Sequence, residues 1–83
     1  MIPKNITREH IRQAAAQIDK EGVSPGRQSR KYHVIVDDKP YPPKYIISKA
    51  NMYANGEKLM PFIFTAQEAL CFLKSRGFQI KPI

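Results

Sequence analysis

The sequence predicts a small α+β domain, with three helices packed on a short two- to three-stranded antiparallel sheet. Three observations support this fold class. Two segments carry apolar residues at helical spacing behind a capping threonine, and a third is rich in β-branched and aromatic residues and ends at an Asp-Asp turn. The composition, with 42% hydrophobic and 25% charged residues in a chain of 83, is typical of one folded globular unit. We therefore expect residues 1–83 to form a single domain with a thin core.

The first helix is predicted to begin after Thr7, a favourable N-cap, and to end near Gly22. Ile6 and Ile11 stand at the two positions of a hydrophobic staple. One buried stripe follows at the spacing i, i+3, i+4 and i+7: Ile11, Ala14, Ala15 and Ile18. Charged residues of both signs lie off this stripe, which indicates a solvated face rather than a binding face.

The middle of the chain predicts a loop over residues 23–30 and a strand over 31–36. A hairpin is predicted to turn at Asp37-Asp38-Lys39-Pro40 and to return through Tyr41. A second helix is predicted from Pro43, because proline is tolerated in a first helical turn, to a stop at Gly56. Its spacing assigns one face to the core: Ile46, Ala50, Tyr53 and Ala54. The same spacing assigns the opposite face to solvent: Lys44, Ser48, Asn51 and Asn55.

The last third begins with an apolar connector over residues 59–64 that Pro61 interrupts, which predicts an extended segment over the core. Thr65 and Glu68 form a capping-box pattern that predicts a third helix ending at Gly77. Its expected buried stripe is Ala66, Ala69, Leu70 and Leu73. Residues 78–80 alternate in polarity and predict a final strand beside the first. The single cysteine, Cys71, lies in an apolar run and is expected to be a buried thiol.

Charge is the most informative part of the composition. Fourteen lysines and arginines against seven acidic residues give a net charge of +7, so nucleic acid is the first partner to consider. Residues 24–49 hold six of these cations against two aspartates, which places more than half of the excess in less than a third of the chain. The alternative is a solvated basic surface without a partner.

Aromatic residues are segregated along the chain. The four phenylalanines lie in residues 62–78 and the four tyrosines in residues 32–53. Tyrosine has a polar hydroxyl and phenylalanine does not, so this segregation favours a core formed by the C-terminal third and a functional surface formed by the middle of the chain. The alternative is that the tyrosines merely border the core.

The candidate nucleic-acid-binding residues are the cations, hydroxyls and phenols of the middle segment: Arg27, Ser29, Arg30, Lys31, Tyr32, Tyr41, Lys44, Tyr45, Ser48 and Lys49. We expect the cations to contact phosphates, helped by the positive end of the second helix dipole, and the tyrosines to pack on sugars or an exposed base.

Little in the sequence supports catalysis or metal binding. His10 and His33 have no nearby cysteine or aspartate at metal-ligand spacing, and no glycine-rich phosphate loop or nucleophile elbow occurs. We expect no enzyme activity in these residues, no metal or other cofactor and no small-molecule substrate. No stretch approaches the ~20 apolar residues of a membrane span and the N-terminus lacks the core of a signal peptide, so no membrane partner and a cytoplasmic location are expected.

Three blocks of sequence carry a resemblance to a known family: Tyr41-Pro42-Pro43-Lys44-Tyr45-Ile46-Ile47-Ser48-Lys49-Ala50, Ala54-Asn55-Gly56 and Phe72-Leu73-Lys74-Ser75-Arg76-Gly77-Phe78. The chain resembles, from residue 6 to residue 80, the ScoMcrA-like N-terminal head domain of McrA-type, modification-dependent HNH restriction endonucleases. The resemblance implies a DNA-binding role in restriction of foreign or modified DNA. No nuclease domain follows within residues 1–83, so the chain is interpreted as an N-terminal domain or a stand-alone relative.

Two functions stay open at this point. The first is a non-catalytic module that binds DNA, expected to be duplex and modified or not. The second is a protein-interaction module that docks on an acidic partner or on neighbouring domains, which an uncovered apolar patch around Met52, Tyr53, Leu59 and Met60 would favour.

Overall fold

The computed structural model describes residues 2–23, 31–60 and 63–83. Its elements follow in the order α1 (Arg8–Glu21), β1 (Tyr32–Val36), β2 (Lys39–Tyr41), α2 (Pro43–Asn55), α3 (Ala66–Ser75) and β3 (Gln79–Pro82). The strands form one antiparallel sheet in the order β2-β1-β3, which confirms the α+β prediction. The predicted loop over residues 23–30 lies outside the described residues except for Val23, and so do Pro61 and Phe62 of the connector.

Helix α1 begins at a reciprocal cap that the sequence predicted only in part. The His10 backbone N–H donates to Thr7 Oγ1 (3.3 Å), and the Thr7 backbone N–H donates to His10 Nδ1 (3.0 Å). A histidine thus fills the place that glutamate or glutamine usually takes in a capping box. Ile6 and Ile11 are both fully buried, as the staple predicted, and the four stripe residues are buried as well. The His10 side chain therefore caps and stabilises the start of α1.

The hairpin turns at two residues with positive φ, Asp37 at 51° and Asp38 at 67°. Positive φ at both central positions is the geometry of a type I′ turn, and a short side chain that can hydrogen-bond locally tolerates it better than most. The register that follows pairs Val34 with Tyr41 in β2 and with Ile80 in β3. The predicted turn is confirmed at Asp37-Asp38, whereas Lys39 and Pro40, which were predicted to belong to it, lie in β2. The predicted final strand is confirmed.

Helix α2 is the central helix of the domain, and the prediction of a solvated polar face is wrong for Ser48 and Asn51. Both side chains are only 2% exposed, whereas Tyr53, which the spacing assigned to the core, is 42% exposed. Helices α1 and α3 both pack against α2, so its buried surface is wider than one stripe. The buried polar groups are satisfied by the chain that follows, since Ser48 Oγ donates to the Leu59 carbonyl and Asn51 Nδ2 to the Glu57 carbonyl (2.8 Å).

Helix α3 has the predicted capping box between Thr65 and Glu68, but a narrower buried stripe than expected. Only Ala69 and Leu73 of that stripe are buried. Cys71 is exposed, so the expectation of a buried thiol is wrong. At ~100° per residue, position 71 lies about 200° around the helix from the buried Ala69, on the side that the core does not reach.

The Arg76 side chain, at the end of α3, hydrogen-bonds to the N-terminal segment. Its Nε donates to the Ile6 carbonyl (3.1 Å) and its Nη2 donates to the Lys4 carbonyl (2.9 Å). The guanidinium also lies 4.3 Å from the centroid of the Phe72 ring. This cation is therefore used to hold two ends of the chain together. Within the described ranges, no helix has the length and apolar character needed to span a bilayer.

Candidate nucleic-acid interface

The structure divides the predicted binding residues into three groups. Arg27, Ser29 and Arg30 lie outside the described residues. Four others are buried: Tyr41, Tyr45, Ser48 and Lys49. The last three are accessible to different degrees, since Lys31 and Tyr32 are exposed and Lys44 is half-buried.

Tyr41 is a structural anchor between the hairpin and α1. Its side chain is 4% exposed, and its hydroxyl donates to both carboxylate oxygens of Asp19, at 2.9 and 3.0 Å. Burial, and after it the hydrogen bond to Asp19, raises the pKa of the Tyr41 phenol to about 12. The phenol is therefore protonated at neutral pH and is occupied as a donor inside the protein.

Lys49 is the buried half of an ion pair between α2 and α1. Its Nζ lies 2.6 Å from Glu21 Oε1, and the lysine side chain is 8% exposed whereas that of Glu21 is 49% exposed. The hydrogen bond between them raises the pKa of Lys49 and lowers that of Glu21. With Tyr45 8% and Ser48 2% exposed beside it, this part of α2 serves the core. Contact with a nucleic acid through these side chains would require them to leave their present positions.

Two further ion pairs join α1 to the hairpin, whereas the Lys49–Glu21 pair joins the other side of α1 to α2. We call the residues of these three pairs together the ion-paired face. Lys39 Nζ lies 3.4 Å from Asp19 Oδ2, and Arg12 Nε lies 3.9 Å from Asp37 Oδ1. From the sequence, the charges of α1 are predicted to form a solvated face. These ion pairs have no local sequence signal, because their partners are 20 or more residues apart in the chain.

Lys44, in the first turn of α2, is half-buried rather than fully exposed. Its ammonium lies 5.1 Å from the centroid of the buried Phe64 ring, a cation–π geometry that links the start of α2 to the connector before α3. Lys31, by contrast, is exposed at the start of β1 and makes no ion pair with any other described residue. Tyr32 beside it is 42% exposed.

The strands place a second set of polar residues on the side of the sheet that faces away from the buried core. Val34 and Val36 point into the core, so their neighbours along β1 point outward. The register puts His33 opposite Lys81 and Ile35 opposite Gln79, and the Ile83 N–H donates to the Lys31 carbonyl (2.9 Å). We call this surface the outer sheet face; it comprises Lys31, His33, Ile35, Pro40, Gln79, Lys81 and Ile83.

His33, Gln79 and Lys81 are absent from the residues predicted from the sequence. A signal for them was available, because alternation along β1 separates residues 31, 33 and 35 from the core positions 34 and 36. What the sequence could not supply was the cross-strand register that joins them to residues 79 and 81. In the described parts of the chain, no three His, Cys, Asp or Glu side chains cluster as a metal site would require.

A comparison with known protein families gives a match over almost the whole chain. The family described as ScoMcrA-like, N-terminal head domain matches residues 4–82. No curated protein and no solved structure gives a significant match. The family assignment agrees with the resemblance seen in the sequence blocks around the second and third helices.

Proposed function

Because the chain belongs to the ScoMcrA-like, N-terminal head domain family, we propose that it is a non-catalytic DNA-binding module of a modification-dependent restriction or defence system. Its primary target is the phosphate backbone of DNA. The charge balance supports this target, because a net +7 on 83 residues favours a polyanionic partner.

The observation that carries the proposal is the position of Lys31. Of the six cations in residues 24–49, Lys39 and Lys49 are neutralised by carboxylates of α1, whereas Lys31 is exposed immediately before β1 without an ion pair in the described residues. Arg27 and Arg30 precede it within a few residues in the sequence, and their contacts with phosphate stay a prediction. An exposed ammonium with no internal carboxylate is available to a phosphate oxygen.

A salt series on duplex DNA tests this proposal. Wild-type affinity should fall linearly on a log–log plot against salt, and Lys31→Ala should reduce the slope by about 0.9 for one lost phosphate contact. Lys20→Ala, which removes another exposed lysine at the end of α1, is the matched control and should leave the slope unchanged. A salt-independent affinity would show that phosphates are not the target.

A second candidate function has one specific observation in its favour. Met52, Tyr53 and Met60 are 43%, 42% and 50% exposed, although Leu59, the fourth member of the predicted patch, is buried. Flexible methionine side chains suit a surface that packs against another protein. If this patch docks on a neighbouring domain or an acidic partner, Met52→Ser with Met60→Ser should abolish complexes that survive nuclease treatment in a pull-down, and DNA affinity should be unchanged.

A further inference from the structure

We propose that the outer sheet face is the surface on which the backbone of double-stranded DNA lies. Lys31 and Lys81 would contact phosphates, and His33, opposite Lys81, and Gln79, two residues before Lys81 in β3, would add hydrogen-bond donors. This inference rests on the proposed DNA-binding function and assigns it to a surface of which only Lys31 was indicated by the sequence.

The sheet register brings these side chains together from the two ends of the chain. His33 stands directly opposite Lys81, and Lys31, two residues before His33, is the diagonal neighbour of Lys81. Diagonal neighbours on one face of an antiparallel pair are about 7–8 Å apart. Duplex DNA carries a charge every ~3.4 Å along the axis on each strand, so two long lysine side chains at this spacing can reach nearby phosphates of the same strand.

The charges on this face are not balanced within the described protein. Neither Lys31 nor Lys81 forms an ion pair there, and the paired positions of β1 and β3 contain no carboxylate. Two neighbouring cations without a carboxylate disfavour the free folded state slightly through like-charge repulsion. The arrangement therefore does not serve stability, and it complements a polyanion.

The chemistry of the face favours a duplex over a single strand. Proteins that bind single strands without sequence preference stack the bases on exposed aromatic rings. The outer sheet face has no tyrosine or phenylalanine, and strand alternation places Tyr32 on the opposite side of the sheet with Val34. Lysine, glutamine and histidine instead provide donors of the kind that contact phosphate and sugar.

The test compares charge reversals at equivalent exposed lysines. Binding of a short fluorescein-labelled duplex is measured by anisotropy for the wild type, for Lys81→Glu, for Lys31→Glu with Lys81→Glu, and for Lys74→Glu on α3 as the matched control. Each reversal on the outer sheet face should weaken binding by about tenfold or more, because a charge-assisted contact is lost and a repulsive one replaces it. Lys74→Glu should have a much smaller effect. Thermal melts confirm that each variant is folded.

If a Glu variant does not fold, Lys31→Gln and Lys81→Gln replace it, and each should lower the slope of log affinity against log salt by about 0.9. Wild-type protein that binds no DNA at low salt would overturn the proposed function together with this inference. Wild-type binding that the outer-face reversals and Lys74→Glu affect equally would overturn this inference alone. Tighter binding to the corresponding single strand, or equal binding to polyglutamate, would also overturn the assignment to a duplex.

Discussion

The ion-paired face and the outer sheet face use the same kinds of cation in opposite ways. On the first, Lys39 and Lys49 lie within 3.4 and 2.6 Å of carboxylates of α1. On the second, Lys31 and Lys81 have no carboxylate partner in the described residues. The difference shows that a basic stretch of sequence is not one functional surface, since two of the six cations in residues 24–49 are paired with carboxylates of a helix distant in sequence.

The largest expected effect is at the buried end of the ion-paired face. Lys49→Glu places a second carboxylate beside Glu21 at a position that is 6% exposed, so it should destabilise the fold more than any of the changes that follow. Urea denaturation measures this loss. Lys20→Glu, the same change at an exposed position of α1, should cost much less. Equal losses would show that the Lys49–Glu21 pair has no special role.

The next effect is the dependence of stability on alkaline pH. The pKa of Tyr41 is raised in the folded state to about 12 from an ordinary value of 10, so its contribution is fully present below about pH 10 and is lost as the pH rises towards 12. The loss should be roughly 2–3 kcal/mol. It is measured as the difference between wild type and Tyr41→Phe, because lysines titrate in both proteins. Parallel pH profiles for the two proteins would contradict it.

At neutral pH, Tyr41→Phe should destabilise the protein by about 2 kcal/mol, because the hydrogen bond to the Asp19 carboxylate is lost. DNA affinity should be unchanged, since this phenol is buried. Tyr32→Phe is the matched control and should leave stability within about 0.5 kcal/mol of wild type, because Tyr32 is 42% exposed. If the folded Tyr41→Phe variant lost DNA affinity, Tyr41 would after all contact DNA.

The smallest expected changes in stability come from removing one exposed lysine from each face, and they differ in direction. Lys39→Ala removes an ion pair whose side chains are 64% and 42% exposed, so it should cost at most about 0.5 kcal/mol. Lys81→Ala removes a cation with no carboxylate partner among the described residues and should leave stability unchanged or raise it by a few tenths of a kcal/mol. Precise denaturation curves at low salt measure both changes. A clear loss of stability in Lys81→Ala would show that the outer sheet face serves the fold.

Only those parts of the candidate site that depend on residues close together in the chain could be predicted from the sequence. Lys31 was predicted, and it is exposed at the start of β1. Tyr41 and Lys49 were predicted on the same grounds of residue type and position, yet they are buried against α1. Lys81 was missed because its neighbour in space, His33, is far from it in the chain.

The sequence by itself determined the local features of this protein. These are the threonine caps, the turn at Asp37-Asp38 with the strands that flank it, and the end of α2 at Gly56. These depend on backbone geometry and on contacts within a few residues, which a linear pattern records. Only the tertiary structure decided which cations are neutralised and which stay available. Burial and ion pairing depend on distances between segments that are remote in sequence, and those distances exist only after α1, α2 and the sheet have packed together.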